Sequence, residues 1–290
     1  VCSSDLGDKA LTISALHADV NVIDASGMST GGSVIQTARS GTDAATYTGS
    51  AGNDTFIMAN AADVIAAGEG TDTLYIAGNL ILGGLQVNLN ATGDQVTTFN
   101  GSANAAVQSG FESINLSGIT GSFAADITAH KDGSTIRGTL NADQITLGAG
   151  TDKIEVAAGE SSSTKTDSII GYATGEQIDW LGGNVTVNSS VVASASGKAG
   201  LAGSGAAASF NGADGTLALR IVAIEAALAD TTHTAGEAAH WQQGSDTYVF
   251  ITDGVGGVGD NDIIIKLVGV DSTNAAFDVL TIASNNLTLA

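Results

Sequence analysis

Apolar and polar residues repeat every nine positions in one part of the chain. Residues 51–74 read AGNDTFIMANAADVIAAGEGTDTL and place Asp54, Asp63 and Asp72 nine residues apart. Two positions after each aspartate comes an apolar residue; these are Phe56, Ile65 and Leu74. A glycine-rich tight turn followed by a short strand with one inward apolar side chain gives this period. The pattern therefore predicts short strands separated by tight turns.

A second stretch repeats the arrangement. Residues 138–145 read GTLNADQI and residues 148–154 read GAGTDKI, so that Asp143 and Asp152 are again nine apart. A looser copy, TDSI, carries Asp167. Each aspartate again stands two positions before an isoleucine. We expect the same alternation of turn and strand here.

Two nonapeptides complete one coil of about eighteen residues, so turns eighteen apart stack on the same side. Asp54 and Asp72 should therefore share a face, with Asp63 opposite. Short alternating stretches at residues 11–28 and 111–128 extend the strand pattern beyond the acidic turns. We expect an all-β fold in which residues 7–185 form a right-handed parallel β-solenoid, or β-roll. An irregular sandwich of hairpins is the alternative.

The C-terminal part has a different pattern. Residues 186–216 are rich in Ala, Ser and Gly and predict a linker or an ordered, irregular excursion. A helix of about 13 residues is then predicted, with Asp214 or Thr216 as N-cap. Its apolar positions are Leu217, Ile221, Ile224 and Leu228. The strand-like runs that follow are Thr247 to Thr252, Ile263 to Val268 and Val279 to Ile282. Residues 217–290 should form a small α+β cap on the open end of the solenoid.

The charge is one-sided, with 9 Lys and Arg against 30 Asp and Glu, a net −21. Such a field repels nucleic acid and anionic lipid and attracts cations. No apolar run approaches the roughly 18 residues of a membrane helix, so we expect no membrane insertion. The opening VCSSDL, residues 1–6, is similar to a translated sequencing-adapter tail and is interpreted as an artefact. The remainder contains no cysteine, which excludes disulfides and thiolate metal sites.

Stacked acidic turns offer the oxygen ligands that Ca²⁺ prefers, because turn carbonyls and Asp carboxylates of neighbouring turns can supply the six to eight oxygens it takes. The predicted metal residues are the aspartates and turn residues of the two stretches. They are Asp54, Asp63, Asp72, Asp143, Asp152, Asp167, Gly52, Asn53, Gly68, Gly70, Asn141, Gly148 and Gly150. The alternative is structural, because aspartate is a common turn residue before a strand.

These motifs resemble the RTX (repeats-in-toxin) calcium-binding proteins, especially the surface-layer and adhesin-like members exported by type I secretion. Residues 167–180, DSIIGYATGEQIDW, are similar to the strand pair that closes the family's repeats, with Tyr172 for Phe and Trp180 for Leu. The resemblance implies a secreted, extracellular or cell-surface protein that folds on binding calcium outside the cell. It also implies an export signal in the last segment, FDVLTIASNNLTLA.

The expected function is a non-catalytic calcium-binding region of such a surface protein. Its expected partners are calcium, the type I secretion machinery and either copies of itself or cell-surface polysaccharide. We find no catalytic constellation of Ser, His and Asp in the sequence. The alternative function is the secretion and folding module of a larger secreted hydrolase, and a carbohydrate-processing β-helix ranks last because aromatic residues are few. The loop acids Asp253, Asp260 and Asp262 are a further, weaker cation hypothesis.

Overall fold

The structure is a computed structural model of the chain. It describes residues 8–13, 17, 19–29, 32–36, 43–76, 83–231, 233–274 and 276–290, so the segment 1–6 interpreted as an artefact lies outside the described residues. The described chain is mostly β-strand with one helix, and many of its strands are parallel. The expectation of a β-rich fold is confirmed at this level. In the described part of the chain, no helix combines the length and apolar character needed to cross a membrane.

The chain divides into two compact units, Val1–Thr139 with Gly148–Gly150, and Leu140–Leu147 with Thr151–Ala290. The described strands of the first unit are β1 (Ala10–Ile13), β2 (Val22–Asp24), β3 (Ser33–Gln36), β4 (Thr46–Thr48), β5 (Thr55–Met58), β6 (Val64–Ala66), β7 (Thr73–Ile76), β8 (Leu85–Asn88), β9 (Val96–Phe99), β10 (Ser102–Ala103), β11 (Gln108–Ser109), β12 (Ser113–Asn115), β13 (Ala125–Thr128) and β14 (Thr135–Arg137).

Two runs of parallel strands dominate the first unit. One has the order β1–β3–β5–β7–β12–β14, and the other has the order β2–β4–β6–β11. A third group, β10–β9–β8–β13, joins two antiparallel pairs to one parallel pair. Strand β5 pairs with β7 in the register Thr55↔Thr73, and β4 pairs with β6 in the register Thr46↔Val64. Both offsets are eighteen residues, as the nine-residue period predicts.

The core of the first unit lies on the inner faces of these strands. Phe56 is paired with Leu74, and Leu74 with Ile114, so that three inward side chains form a row across neighbouring strands. All three are buried. From the other run of strands, the ring of Tyr47 stacks on Phe56 with 5.6 Å between centroids. The apolar residue two positions after each aspartate therefore points inward, as expected.

The second unit contains strands β15–β26 and the helix α1. The described elements are β15 (Gln144–Thr146), β16 (Lys153–Val156), β17 (Asp167–Ile170), β18 (Gln177–Trp180), β19 (Thr186–Val187), β20 (Val191–Val192), β21 (Leu201–Ala202), α1 (Leu217–Ala229), β22 (Glu237–Gln243), β23 (Asp246–Ile251), β24 (Ile263–Val268), β25 (Leu280–Ala283) and β26 (Asn286–Leu289).

Two strand groups organise the second unit. One runs β15–β17–β24–β23–β22–β19 and the other runs β16–β18–β26–β25. The antiparallel meander β22–β23–β24 joins the first group through a parallel pairing of β24 with β17. The stretch 186–216 carries the short strands β19, β20 and β21 and contributes the buried Leu201.

Helix α1 occupies the residues predicted for it. Thr216 caps its first turn, and its side chain accepts a hydrogen bond from the backbone N–H of Leu219. The buried face of the helix packs on the meander. The core residues here include Ile221, Ile224, Leu228, Trp241, Phe250 and Ile264.

Candidate metal-binding turns

Each predicted aspartate of the first unit stands in the turn directly before a strand. Asp54 precedes β5 and Asp72 precedes β7, and these strands are neighbours. Asp63 precedes β6, which belongs to the other run of parallel strands. Asp54 and Asp72 therefore precede neighbouring strands of one run, whereas Asp63 precedes a strand of the other run; that Asp63 lies on the opposite face stays a prediction.

The two neighbouring turns are joined by hydrogen bonds that alternate between side chain and main chain. The backbone N–H of Asp54 donates to Asp72 Oδ1 at 2.7 Å. In return, the backbone N–H of Thr73 donates to the carbonyl oxygen of Asp54 at 2.8 Å. The aspartate of one layer is thus held against the main chain of the layer before it.

A glutamate continues this arrangement in the next layer. The backbone N–H of Asp72 donates to Glu112 Oε2 at 2.8 Å, and Glu112 directly precedes β12. We call Asp54, Asp72 and Glu112 the first acid stack. The nonapeptide pattern does not reveal Glu112, which lies outside any nonapeptide and forty residues after Asp72. The only available signal was an acid directly before a strand-like run.

The two buried aspartates of this stack differ in how their oxygens are satisfied. Asp54 Oδ1 accepts from the backbone N–H of Val34 at 2.5 Å, and Oδ2 accepts from that of Ser50 at 2.6 Å. The Ser50 hydroxyl also lies 2.9 Å from Asp54 Oδ1. Asp72 Oδ2, by contrast, is buried and has no hydrogen-bond partner among the described residues. A buried acceptor without a partner is unfavourable by about 1–3 kcal/mol.

The electrostatics of the stack also disfavour three negative charges. In the described part of the chain, Asp54, Asp72 and Glu112 form no ion pair with Lys, Arg or His. Burial raises the pKa of Asp72 to about 7, and the carboxylates of Asp54 and Glu112 add to this rise. The hydrogen bond from the Asp54 N–H opposes it. The stack therefore favours either a proton or a bound cation.

Asp63 has the environment of a turn residue. Its Oδ1 accepts from the backbone N–H of Ala45 at 2.8 Å, and its Oδ2 accepts from those of Ala59 and Asn60 at 2.9 and 2.8 Å. Backbone donors thus hold both oxygens. This geometry matches the structural alternative for aspartate before a strand.

The turn residues of the first nonapeptides allow the layers to approach closely. Gly68 and Gly70 have φ angles of +114° and +129°, and a Cβ on Gly70 would lie 2.7 Å from the carbonyl oxygen of Gly52. Asn53 Oδ1 accepts from the backbone N–H of Thr71 at 2.9 Å, which is another contact over eighteen residues. These four predicted residues therefore stack turn upon turn.

The glycines of the second stretch play a similar part. A Cβ on Gly148 would lie 2.4 Å from the carbonyl oxygen of His130, and one on Gly150 would lie 2.1 Å from the carbonyl carbon of Asp132. Both glycines thus pack against the turn at residues 130–133. Asn141 is half-buried in the turn that leads to β15.

The second unit contains two further acid contacts of the same kind. The backbone N–H of Asp143 donates to Asp167 Oδ1 at 2.8 Å, and that of Asp152 donates to Glu176 Oε2 at 2.5 Å. Both contacts join residues twenty-four apart. Burial, followed by the charge of Asp143, raises the pKa of Asp167 well above its usual range. Burial also raises the pKa of Glu176 to about 7, with a smaller contribution from Asp152.

The loop acids before β24 close a hairpin. Asp262 Oδ1 accepts from the backbone N–H of Asp253 at 2.9 Å, and Oδ2 accepts from that of Gly259 at 2.8 Å. Over the described residues as a whole, no three His, Cys, Asp or Glu side chains are arranged so that they could hold a metal ion. A cation at any of these turns would also need main-chain oxygens.

Comparison with protein-family models finds no match to the chain, and a search of curated proteins finds no significant match. The interpretation of the site therefore depends on its own geometry. That geometry sets carboxylates against backbone N–H groups of neighbouring turns.

Proposed function

We propose that this chain is a non-catalytic, calcium-binding region of a secreted bacterial surface protein of the surface-layer or adhesin-like kind. One observation carries the proposal: the first acid stack places three carboxylates in successive layers without a basic partner among the described residues. Calcium is the proposed cofactor. Type I secretion, an extracellular or cell-surface location, and self-association or polysaccharide binding belong to the same proposal.

The chemistry of the stack fits calcium better than a transition metal. Its side chains supply only carboxylate oxygens, and the neighbouring turns add main-chain carbonyls such as that of Gly52, which faces Gly70. Calcium takes six to eight oxygens in flexible geometry, whereas zinc prefers four ligands that commonly include His or Cys. Asp72 is the side chain of the stack with an unpartnered buried oxygen for the ion, and because no three acids could hold a metal, the other ligands would have to be main-chain oxygens. Calcium would supply the positive charge that neutralises these carboxylates.

We further propose that the strands form a right-handed parallel β-solenoid. Support comes from the parallel pairing of β5 with β7 and of β4 with β6, each at an offset of eighteen residues. In such a fold each layer covers the inner face of the next, so weakened stacking at one layer destabilises its neighbours.

Calcium binding should therefore be coupled to folding. Without the ion, stacked carboxylates repel one another, and a chain with a net charge of −21 already resists compaction. Extracellular calcium modules bind with dissociation constants of about 10⁻⁴–10⁻³ M. A chain in this range would remain loose where calcium is scarce and would fold outside the cell.

The test is a calcium titration followed by far-UV circular dichroism. One variant changes Asp54, Asp72, Asp143 and Asp152 to Asn, which removes four charges but keeps an oxygen acceptor at each position. The control changes four exposed acids to the corresponding amide, namely Asp19, Asp24, Asp132 and Asp271. We expect β-sheet signal to rise with calcium in the wild type and the control, and to lose its calcium dependence in the first variant. Equal folding of the wild type with and without calcium would contradict the proposal.

A further inference from the structure

Two Asn-Gly pairs, Asn100-Gly101 and Asn211-Gly212, lie exposed on the described part of the chain. In such a pair, the backbone nitrogen of the glycine can attack the side-chain carbonyl carbon of the asparagine, because glycine has no Cβ to hinder the approach. Asparagine is among the thermally labile residues of proteins. The two pairs have the same sequence but different hydrogen bonds in the fold.

The side chain of Asn211 is folded over the peptide bond that follows it. The backbone N–H of Ala213 donates to Asn211 Oδ1 at 3.1 Å, which is the contact of an Asx turn. This donor also draws electron density toward Oδ1 and makes the carbonyl carbon more open to attack. The N–H of Gly212 donates no hydrogen bond to any residue that the structure describes. The Gly212 nitrogen is therefore available for the attack.

The glycine of the other pair is hydrogen-bonded. Asn100 and Gly101 form the turn between β9 and β10, and both have positive φ angles, +55° and +73°. The backbone N–H of Gly101 donates to the carbonyl oxygen of Gly84 at 2.8 Å. The nitrogen attacks only after it has lost its proton, and a hydrogen-bonded N–H exchanges its proton only when the bond opens. The fold therefore protects Asn100.

A third asparagine separates the effect of the turn from the effect of glycine. The backbone N–H of Ala62 donates to Asn60 Oδ1 at 2.8 Å, so Asn60 forms the same Asx turn as Asn211. The next residue is Ala61, however, and its Cβ hinders the approach of its nitrogen to the side-chain carbonyl. Asn60 has the turn without the glycine, and Asn100 has the glycine without its free N–H.

We propose that Asn211 is a site of spontaneous deamidation in the folded protein. The Gly212 nitrogen gives its proton to hydroxide and forms a bond to Asn211 Cγ. The bond from Cγ to the amide nitrogen breaks, and this nitrogen takes a proton from water and leaves as ammonia. Water then opens the cyclic imide at either carbonyl, which gives aspartate or isoaspartate without oxidation or reduction. This reaction is independent of the proposed binding of calcium.

The Asn211 turn leads into helix α1, so its modification should loosen the start of the helix. The backbone N–H of Asp214 donates to the carbonyl oxygen of Asn211 at 2.9 Å. Asp214 is buried, its Oδ1 accepts the N–H of Gly197 at 3.0 Å, and its carbonyl oxygen accepts Nε of Arg220 in α1 at 3.2 Å. Isoaspartate lengthens the main chain at Asn211, and the contact to Asp214 is then lost.

Peptide mapping by mass spectrometry tests the site in the full chain, incubated in calcium at mildly alkaline pH. Deamidation replaces an NH₂ group with OH, and the mass of the peptide rises accordingly. We expect Asn211 to react at least about tenfold faster than Asn100, while Asn60 stays intact. In concentrated urea, which opens both turns, Asn100 and Asn211 should react at similar rates. Equal rates in the folded chain, or a difference that persists in urea, would overturn the proposal.

The variant Gly212→Ala tests the attacking nitrogen. A Cβ at Gly212 meets no atom within 4 Å, so the variant should keep the β-sheet content of the wild type in circular dichroism. Deamidation of Asn211 should fall at least about tenfold, as the intact Asn60-Ala61 turn indicates. The same reduction is expected in urea, where the result does not depend on folding. An unchanged rate would mean that water attacks the side chain directly, and the imide route would be wrong.

Hydrogen exchange tests the loosening. Deamidation adds a negative charge, so anion exchange separates the modified chains from the unmodified ones. In the isoaspartate fraction, the amides of Ala213 and Asp214 should exchange about tenfold faster than in the unmodified chain. Exchange at the same rate in both fractions would overturn the proposed effect on the start of α1.

Discussion

At the scale of single residues, the aspartates of the turns accept hydrogen bonds from backbone N–H groups. Asp63 shows this most clearly, because three backbone N–H groups hold its two oxygens. Asp54 likewise accepts from the backbone of two other residues. The sequence pattern placed these aspartates correctly before strands, but spacing alone could not show which oxygens the main chain would occupy. That depends on where the preceding layer presents its N–H groups.

The first prediction concerns Gly70, the glycine of the stacked turn. Gly70 has a φ of +129°, and a Cβ there would lie 2.7 Å from the carbonyl oxygen of Gly52, so Gly70→Ala should introduce both strain and a clash. We expect a loss of about 2–4 kcal/mol in the free energy of unfolding, measured by urea denaturation in calcium. Gly93→Ala is the control, because a Cβ at Gly93 meets no atom within 4 Å. Equal stability of the two variants would show that the turns do not stack closely.

The second prediction concerns a buried histidine. His240 lies in β22 and is fully buried, and neither ring nitrogen has a hydrogen-bond partner among the described residues. Burial lowers its pKa from 6.5 to about 4. Between these values the unfolded chain takes up a proton that the folded chain refuses, so acid should destabilise the fold by about 3 kcal/mol through this residue.

The measurement is the free energy of unfolding of the wild type and His240→Leu between about pH 4 and about pH 7. The variant should lose less stability than the wild type as the pH falls. His17→Leu, which changes an exposed histidine, should follow the wild type. A parallel pH dependence of the wild type and His240→Leu would mean that His240 can be protonated in the folded state.

At the scale of elements, the sequence predicted the helix and those strands that either alternate between inward and outward residues or form runs of apolar, β-branched residues, such as β24. Strands β5, β6 and β7 alternate between inward and outward residues, and the nine-residue period located them. Strand β22 was missed. Its sequence, EAAHWQQ, lacks alternation because its first five residues are all buried. A strand buried on both faces loses the periodic signal, and β22 also lacks the run of β-branched residues by which β24 was predicted.

The third prediction concerns the packing of helix α1. Ile224 is fully buried in the core that the helix shares with the meander, whereas Val222 is 51% exposed. Ile224→Ala should lower the free energy of unfolding by about 2–4 kcal/mol, because it removes packed methyl groups and leaves a cavity. Val222→Ala, on the exposed face, should change it by about 0.5 kcal/mol or less. Chemical denaturation of both variants tests whether the helix is packed as described.

At the scale of the whole molecule, the chain combines a net charge of −21 with buried acids that repeat from layer to layer. The nonapeptides predicted the aspartates of these acid contacts but neither Glu112 of the first acid stack nor Glu176 of the second unit. Both stand before strands that return after longer stretches, with offsets of forty and twenty-four residues from their partners. The number of residues between two such acids depends on the length of the segment between their strands, and a nine-residue period cannot predict that length.

The buried acids make stability depend on pH and calcium together. The pKa of Asp72 is about 7 in the folded chain against an ordinary 3.8. Between these values the folded carboxyl keeps a proton that the unfolded chain releases, so this stabilisation is present in acid and is lost as the pH rises through about 7. Without calcium, where the chain is proposed to remain loose, folding is induced with a stabilising osmolyte, and Asp72→Asn should then lose less stability than the wild type from about pH 4 to about pH 8.

At alkaline pH, calcium should reverse which of the two proteins, the wild type or Asp72→Asn, is the more stable. Without calcium, the wild type contains an ionised, buried carboxylate beside two others, and Asp72→Asn should be the more stable. With saturating calcium, the ion stabilises only the chain that binds it, and the wild type should become the more stable. Glu176 and His240 titrate in both proteins, so their contributions cancel in the difference. Osmolyte-induced folding without calcium and thermal unfolding with saturating calcium, both at about pH 8, show which protein is the more stable in each condition; if the same protein is the more stable in both, Asp72 does not bind the ion.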